Sequence, residues 1–391
     1  MIRIGAFFNR QSKASREQVI GIFNFAAQHP DWELHLFTRP SSAANLRRLV
    51  GDFVPDGIIA GHPNIVRAFR KQLRRRIPAV VIDYHPRGPL PPDCALVFED
   101  ARAAGALGAR NFLDRGFAHF AFAGLSPDGA DGDSDALDSI DEEAGFVAEL
   151  GKAGHTAAVY RERLPPAAWH FEDRESLARW LKGLPKPTAL LVHSDTLALS
   201  VYAACHKIGL RIPDQLAIVA IGNEDSICES ANPTLSSIDP DFRQAGLRAA
   251  NLLDARLRDK VPLPGREIYG IRAFVDRLSS RKVTGARHLA MRAHETIRQR
   301  ALSGLRVSDL TADAGVSQRT LEHAYADIYG MTLREDLLRF RLDEAERLLR
   351  ETSLPIGAIY ARCGFRTATA LKAAFARRHD CSMRDFRKQR S

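Results

Sequence analysis

The stretch V-S-D-L-T-A-D-A-G-V-S-Q-R-T-L-E-H-A-Y (307–325) returns in altered form as I-G-A-I-Y-A-R-C-G-F-R-T-A-T-A-L-K-A-A-F (356–375). Leu310 and Ile359 lie 49 positions apart, as do Ala314 and Cys363, Gly315 and Gly364, and Val316 and Phe365. After one inserted residue, Leu321 pairs with Leu371 and Tyr325 with Phe375 at a spacing of 50. Each copy reads as an amphipathic helix, a glycine turn and a second helix opened by a hydroxyl residue, Ser317 or Thr367. That is the pattern of a helix-turn-helix. Glycine suits the turn because the backbone there needs a positive φ, which a Cβ penalises. A repeat held in register along the whole motif separates it from a chance match.

Between the copies, residues 333–350 read as one long helix with Leu338, Leu342, Ala345 and Leu349 on one face. At ~1.5 Å per residue it spans roughly 27 Å. Such a strut sets two reading heads on successive major-groove turns, which lie about 34 Å apart. Ser353 and Pro355 suit the opening of the next helix, the proline because its missing N–H costs little in the first turn.

Charge follows the same division. Residues 281–391 hold 22 Lys and Arg against 13 Asp and Glu, whereas residues 1–280 hold 34 of each. The whole formal excess of +9 therefore sits with the repeat. A basic segment that carries helix-turn-helix units is the electrostatic footprint of a DNA binder. On the first recognition helix, inward Leu321 and Tyr325 leave Gln318, Arg319, Glu322 and His323 outward, with Ser317 at the helix start also a candidate contact. Arg319 suits guanine and Gln318 adenine in the major groove. On the second, inward Leu371 and Phe375 leave Ala368, Thr369, Lys372 and Ala373 outward, with Thr367 at the helix start also a candidate contact; these offer only thymine-methyl contacts and one cation, so this head is expected to bind largely through phosphates. Arg366, Lys372, Arg377, Arg378 and Arg387 are the candidates for that. Taken one at a time, each arginine is more often a phosphate or solvent contact than a base reader.

Residues 287–388 resemble the DNA-binding domain of the AraC family of transcription regulators. The likeness rests on A-G-V-S (314–317), R-x-R-L-D-E-A-E-R-L-L (339–349), I-x-x-I-x-x-x-C-G-F (356–365) and D-F-R (385–387). Leu371 replaces a usual Phe, H-D-C-S-M (379–383) replaces F-G-x-S-P, and Phe386 replaces Tyr. These are packing changes that the fold tolerates.

The first 280 residues alternate strand and helix patterns, with apolar runs at 2–8, 34–38, 57–60, 79–83, 118–124, 188–192 and 216–221 and a further strand at 94–98. Helical stretches at 14–28, 63–76, 100–115, 139–153, 194–209 and 240–258 lie between them. This predicts α/β layers on parallel sheets. In such folds ligands bind beyond the carboxyl ends of the strands, where Asn9, Asp83, Glu99, Asp100, Ser194, Asp195, Asn223, Glu224 and Asp225 fall. Carboxylates and amides there suit a polyhydroxylated ligand, because each engages two hydroxyls. The bland alternative is that Asp100 and Asp195 simply cap the helices that follow them.

This region resembles the periplasmic-binding-protein-like effector domain of the LacI regulators. P-D-G-I-I-A (55–60), I-P-A-V-V-I-D (77–83), L-V-H-S-D-T-L-A (191–198), G-L-R-I-P-D-Q-L-A-I-V (209–219) and N-P-T-L-S-S-I (232–238) carry the likeness. It implies a two-lobed, doubly wound α/β domain at 1–278, a linker at 279–286 and an all-α domain with two helix-turn-helix units at 287–391. It also implies a sugar, a pentose or a relative, held between the lobes by Asn9, Arg16, Asp100, Trp169, Asp195 and Asn223. Trp169 would stack on the sugar's apolar face, although plain packing accounts for a buried Trp equally well. Where regulators of this two-family architecture carry an Asp and an Arg, this chain has Gly222 and Glu142. Those departures keep an alternative open, a DNA-binding regulator with a vestigial pocket that responds to a non-sugar ligand or a protein partner. The combination implies an activator of a carbohydrate-utilisation operon, acting as a homodimer on DNA and meeting RNA polymerase.

Composition excludes other classes. The chain lacks an 18-residue apolar run, a signal segment and paired C-x-x-C motifs, and its five cysteines are scattered. A cytoplasmic protein without membrane partner, metal or cofactor is expected. The acidic stretch 126–143 reads as a solvated loop over the cleft, its spacing unlike an EF-hand. Nucleophile-elbow, Walker and H-E-x-x-H motifs are absent, and nothing points to an enzyme.

Overall fold

Short apolar runs become buried parallel strands, and the polar-faced helices between them cover both faces of each sheet. The computed structural model describes residues 1–8, 12–38, 53–83, 90–126, 134–162, 175–281 and 286–388. The chain divides into two units, Met1–Arg281 and Lys282–Ser391.

The first unit contains β1 (Ile2–Phe7), β2 (Trp32–Phe37), β3 (Gly57–Ala60), β4 (Ala79–Ile82), β5 (Cys94–Glu99), β6 (Phe120–Leu125), β7 (Ala157–Glu162), β8 (Thr188–Val192), β9 (Leu216–Ile221), β10 (Ser236–Pro240), β11 (Arg266–Tyr269) and β12 (Ile271–Val275). They form two six-stranded sheets of the same order, β11-β5-β4-β3-β1-β2 and β12-β10-β9-β8-β6-β7. Every pair is parallel except β10 with β12. Two buried clusters flank each sheet, around Ile4, Ile59 and Val80 and around Phe69 and Val81 for the first, and around Val192 and Leu197 and around Phe112, Phe122 and Phe146 for the second. A sheet buried on both faces must be made of near-continuous apolar strands, and β3, β4, β8 and β9 are.

The helices are α1 (Lys13–Gln28), α2 (Pro63–Leu73), α3 (Ala101–Asp114), α4 (Ser134–Lys152), α5 (Glu175–Gly183), α6 (Asp195–Ile208), α7 (Asp225–Cys228) and α8 (Phe242–Arg258). The backbone passes between the lobes at Glu99–Ala101, at Pro240–Phe242 and at Gly270, so α3 packs on the second sheet and α8 on the first. Helix α4 begins at Ser134, so residues 134–143 of the expected acidic loop are helical; residues 127–133 lie outside the described ones. Strands β7, β10, β11 and β12 answer to none of the apolar runs read as strands. Ser279 and Ser280, read as linker, are fully buried: Ser279 Oγ accepts from the Ser236 amide at 2.8 Å and donates to the Ile218 carbonyl at 2.6 Å.

The second unit is all helical: α9 (Ala286–Arg300), α10 (Val307–Ala314), α11 (Gln318–Tyr329), α12 (Leu333–Glu351), α13 (Ile356–Arg362), α14 (Ala368–His379) and α15 (Met383–Lys388). Gly315 and Gly364 take φ of 65° and 69° in the two turns, as the repeat required. Leu333 and Leu337 at one end of α12 join the first helix-turn-helix core, and Leu342, Ala345, Leu348 and Leu349 join the second. The strut is thus a shared wall. Arg341 fastens it by donating to the carbonyls of Ala301 (2.9 Å) and Leu305 (2.6 Å).

Candidate functional site

Two surfaces collect the polar residues that the fold does not spend on its own cores: the cleft between the lobes of the first unit, and the outer faces of α11 and α14.

At the cleft, α1 of the first lobe reaches groups of the second. Ser12 caps α1, its hydroxyl accepting from the Ser15 amide at 3.3 Å, and this presents the helix's first turn to the other lobe. The Lys13 amide donates to Glu224 at 2.8 Å, and Lys13 Nζ donates to the Asn223 carbonyl at 2.5 Å and to Asp239 at 3.0 Å. Arg16 donates to both oxygens of Glu224, at 2.8 and 3.0 Å. Arg272 donates to Asp239 at 2.9 Å, and Arg277 to the Asn223 side-chain oxygen at 2.8 Å. Lys13 and Asp239 are 8% and 2% exposed, so this pair is largely desolvated and its loss is costly.

Asp195 lies in the same network but does not cap its helix. Ser194 does, its hydroxyl accepting from the Leu197 amide at 3.2 Å. Asp195 instead accepts from the Glu224 amide and the Ser237 hydroxyl, each at 2.7 Å. Burial pushes its carboxyl up to about 6 against those donors. Gly222, at φ 122°, explains how Asp195 fits: a Cβ there would stand 3.0 Å from Asp195 Oδ2. Asn223, at φ 50°, adopts the left-handed turn that Asn tolerates better than most residues. Arg16, Asp195 and Asn223 are therefore brought together, joined by Glu224. Asp100 stands apart as the cap of α3, accepting from the Ala103 amide at 2.9 Å. Asn9 and Trp169 lie outside the described residues.

Five residues of this network, Lys13, Asp239, Ser237, Arg272 and Arg277, were not among the sequence candidates. Lys13 reads as an ordinary first-turn residue, and Asp239 sits inside a strand that the apolar pattern does not mark. Replacing Lys13 with Met is expected to lower stability of the first unit by about 2 kcal/mol, less than a fully broken buried pair because Arg272 still faces Asp239. Differential scanning calorimetry of the full chain checks this, and an unchanged first-unit transition contradicts it.

The cleft has a second, acidic side. Asp83, at the end of β4, accepts from Tyr269 Oη at 2.8 Å and from Gln18 Nε2. Glu142 of α4 is 2% exposed and accepts from His193 Nδ1 at 2.7 Å. Glu99 and Asp138 complete it. A cavity of about 870 Å³ opens at the opposite, amino-terminal edge of the first sheet, among Arg75, Arg76, Asp93, Arg256 and Lys260. It is remote from these strand ends, and Asp93 already holds Arg256 at 2.7 and 3.0 Å.

In the second unit, Ser317 and Thr367 cap α11 and α14, their hydroxyls accepting from the Thr320 and Ala370 amides, each at 3.2 Å. Gln318, Arg319 and His323 are exposed, as are Arg366, Thr369, Lys372 and Arg377, while Ala368 is half-buried. Glu322 is half-buried and accepts from the Leu333 amide at 3.4 Å. Two expected phosphate contacts are engaged inside the unit instead. Arg378 donates to Asp343 at 2.5 Å, and half-buried Arg387 donates to the Leu354 carbonyl at 2.7 Å. Both brace the end of the second helix-turn-helix, so that of the five named phosphate candidates Arg366, Lys372 and Arg377 are the ones without such a partner among the described residues. Thr320, exposed beside Arg319, joins that face; only the helical register reveals it.

No group of His, Cys, Asp and Glu among the described residues has the arrangement of a metal site, and no described helix is long and apolar enough to cross a membrane.

Comparison with known proteins agrees with both halves. A periplasmic binding protein-like domain matches residues 109–280 and a helix-turn-helix domain matches residues 310–389. The xylose operon regulatory protein of Escherichia coli K12 is 26% identical over 399 residues, covering 98% of this chain and 96% of its own length. That of Haemophilus influenzae is 24% identical, covering 98% of each. Among solved structures, a xylose-binding transcription activator aligns with a TM-score of 0.63 at 24% identity, over 100% of this chain and 98% of the other. A LacI-family regulator of Enterococcus faecium with bound ribose aligns at 0.54 and 18% identity, covering 72% of this chain and all of that one. With its two-sheet domain preceding paired helix-turn-helix units, the chain belongs to the AraC-type DNA-binding transcription regulators that carry an N-terminal LacI/periplasmic-binding-protein-like effector domain.

Proposed function

We propose that residues up to Arg281 bind a small polyhydroxylated effector of the sugar class between their lobes, and that the helical unit reads promoter DNA through α11 and α14. The observation that carries this is the cleft itself. Asp83, Glu99, Asp195, Asn223 and Glu224 stand at the carboxyl ends of β4, β5, β8 and β9, with both lobes contributing. The full-length likeness to xylose operon regulatory proteins supports the sugar class and, with it, activation of a carbohydrate-utilisation operon.

The mechanism follows from differential contact. Lys13 and Arg16 already bridge the lobes to Asp239 and Glu224, so an effector acts by competing with or completing those bridges, and it shifts the lobe equilibrium only by its preference for one state. In a homodimer that shift changes how two readers meet DNA, and an activator then presents a surface to RNA polymerase. The protein works in the cytoplasm, where promoter and effector meet.

Thermal stability across pentoses, hexoses, sugar acids and polyols tests the sensing half. A ligand at 100 times its Kd adds about 2.7 kcal/mol, which is several degrees for a unit of this size. Silence from the whole panel favours the second reading, a pocket that has lost its sugar, which Gly222 and the His193-bound Glu142 both support. For the reading half, Arg319→Ala is expected to cost about 1–3 kcal/mol on the cognate site and relax one base position, whereas Lys372→Ala lowers the salt slope by about one and leaves sequence preference intact. Fluorescence anisotropy at several salt concentrations separates them; equal losses on cognate and random DNA for Arg319→Ala would remove it as a base reader.

A further inference from the structure

Asn223 stands where three parts of the first unit meet. It is 5% exposed and takes a left-handed backbone, φ 50°, in the turn after β9. Its amide donates to Ser237 Oγ at 3.0 Å, and that hydroxyl donates in turn to Asp195 at 2.7 Å. Its carbonyl accepts from Lys13 Nζ of the other lobe at 2.5 Å. Its side-chain oxygen accepts from Arg277 Nη1 at 2.8 Å. A guanidinium only donates, so Arg277 fixes which way the side-chain amide is turned.

Arg277 opens the stretch by which the chain leaves this unit, the turn Leu278–Ser280 and then Arg281. Successive strand residues face opposite sides, and β10 uses both. Ser237 serves the cleft, whereas Ser236 Oγ accepts from the Arg277 amide and from the Ser280 hydroxyl, each at 2.8 Å. The Ser279 amide donates to the Thr234 carbonyl at 2.9 Å, and Arg115 donates to the Ser280 carbonyl at 2.9 Å. The exit is thus packed on the second lobe, and the half-shielded contact most exposed to a change in the cleft is the Arg277 guanidinium on Asn223. A residue other than glycine keeps a left-handed backbone only while its surroundings hold it there. Releasing the Lys13 bond to the Asn223 carbonyl removes one of three restraints on that turn, and the side-chain oxygen moves with it.

We propose that the Asn223–Arg277 contact couples the cleft to the exit of the effector unit, with Arg277 as the positioning residue. While Lys13 is engaged, Asn223 is held against Arg277 and the exit is fixed; an effector that displaces Lys13 relaxes the turn and loosens the exit. This rests on the reading of the cleft as the effector site and names how its occupancy leaves the domain.

Lys13→Met breaks the lobe bridge without any ligand, so the coupling can be measured on the full-length protein alone. Hydrogen exchange followed by mass spectrometry reads peptides spanning 275–281, with the amides of β8 as the control for global opening. In the otherwise unchanged chain, Lys13→Met should speed exchange at the Arg277 and Ser279 amides at least about fivefold relative to that control, the lower end of ordinary coupling between sites. Asn223→Gly keeps the positive φ and both backbone bonds and deletes only the acceptor for Arg277. In that background Lys13→Met should change exchange at the exit less than about twofold. Arg277→Met, which retains the stem of the side chain, should behave alike. Fluorescence anisotropy on a duplex that the unaltered protein selects from a random-sequence pool should follow the same pattern, with affinity changed at least about fivefold by Lys13→Met and less than about twofold once Asn223 is Gly.

A contact with only a structural role would lower the unfolding midpoint in Asn223→Gly yet leave the response to Lys13→Met intact, and that result overturns the proposal. So does an exit whose exchange ignores Lys13→Met in the otherwise unchanged chain. D-xylose and D-ribose, tested by thermal shift on the unaltered protein, report the cleft separately. Stabilisation by either sugar beside an uncoupled exit overturns the coupling and leaves sugar sensing standing; silence from both beside a coupled exit supports the coupling and counts against the sugar class instead.

Discussion

Replacing Asp336 with Ala is expected to melt the helical unit out of the full-length protein, with a loss of about 3–5 kcal/mol. Asp336, in the first turn of α12, is completely buried. It accepts from Tyr325 Oη at 2.5 Å and His294 Nδ1 at 2.8 Å, and lies 2.7 Å from a guanidinium nitrogen of Arg339. Tyr325 is itself fully buried, its phenol pushed far up by burial and by the Asp336 carboxylate. The carboxylate thus ties α9, α11 and α12 at one point, beneath the helix that carries Gln318 and Arg319. Removing it leaves a buried phenol and an imidazole without their acceptor, whereas Arg339 turns to water. Asp336→Asn retains one acceptor and should lose markedly less. For a unit near 100 residues, each kcal/mol moves the midpoint by about 4–8 °C, so calorimetry of the full chain should show one transition displaced and the other unmoved. Displacement by only a degree or two would show that the triad is not what holds the first helix-turn-helix together.

How much of this was legible depended on whether a residue's role is set locally. The helices of the second unit follow the apolar period and the glycine turns, because each helix-turn-helix buries one stripe against its own neighbours; Leu321, Tyr325, Leu371 and Phe375 are all buried as that period requires. Strands β3, β4, β8 and β9 were legible for the same reason, being short runs buried on both faces. Strand β7 was not, since it lies at a sheet edge with mixed residues, and β10, S-S-I-D-P, is buried with almost no apolar signature. Its serines and Asp239 are satisfied by Ser279, Ser280, Lys13 and Arg272, partners 33 to 226 positions away in most cases, which a local reading does not connect. The same holds at the site. Arg16, Asp195 and Asn223 were named because they follow strands or match a pattern, but the Lys13 bridge that unites them exists only once the lobes face each other. Conversely, Arg378 and Arg387 looked like free cations in a basic tail, and the fold uses them as braces.

The second large effect was invisible in sequence because it depends on two backbones nearly touching. Where α3 crosses α4, a Cβ on Gly105 would lie 1.9 Å from the Glu142 carbonyl oxygen, and one on Gly145 would lie 2.0 Å from that of Arg102. The other lobe repeats the device between α1 and α8, with Gly21 against the Arg243 carbonyl (2.1 Å) and Gly246 against that of Gln18 (1.9 Å). Helix propensity alone argues that Gly105→Ala should stabilise, by about 1 kcal/mol. Sterics decides otherwise: the obstacle is backbone, which cannot rotate aside, so the helices must part by more than 1 Å as a rough estimate, and such a gap forfeits a quarter to a half of each dispersion contact along the crossing. Phe112 and Phe146, packed edge-on at 6.4 Å beside it, lose most. We expect Gly105→Ala to cost about 3 kcal/mol, at the upper end for overpacking, and Gly105→Val more. The displaced residue is Glu142 itself, so effector binding should weaken with stability. Gly151 supplies the control. It lies on α4 too, but a Cβ there meets nothing within 4 Å, so Gly151→Ala should be neutral or stabilising by up to about 1 kcal/mol. Opposite signs at Gly105 and Gly151 in thermal unfolding establish the close crossing; two stabilising substitutions would mean that the lobes are not held by it.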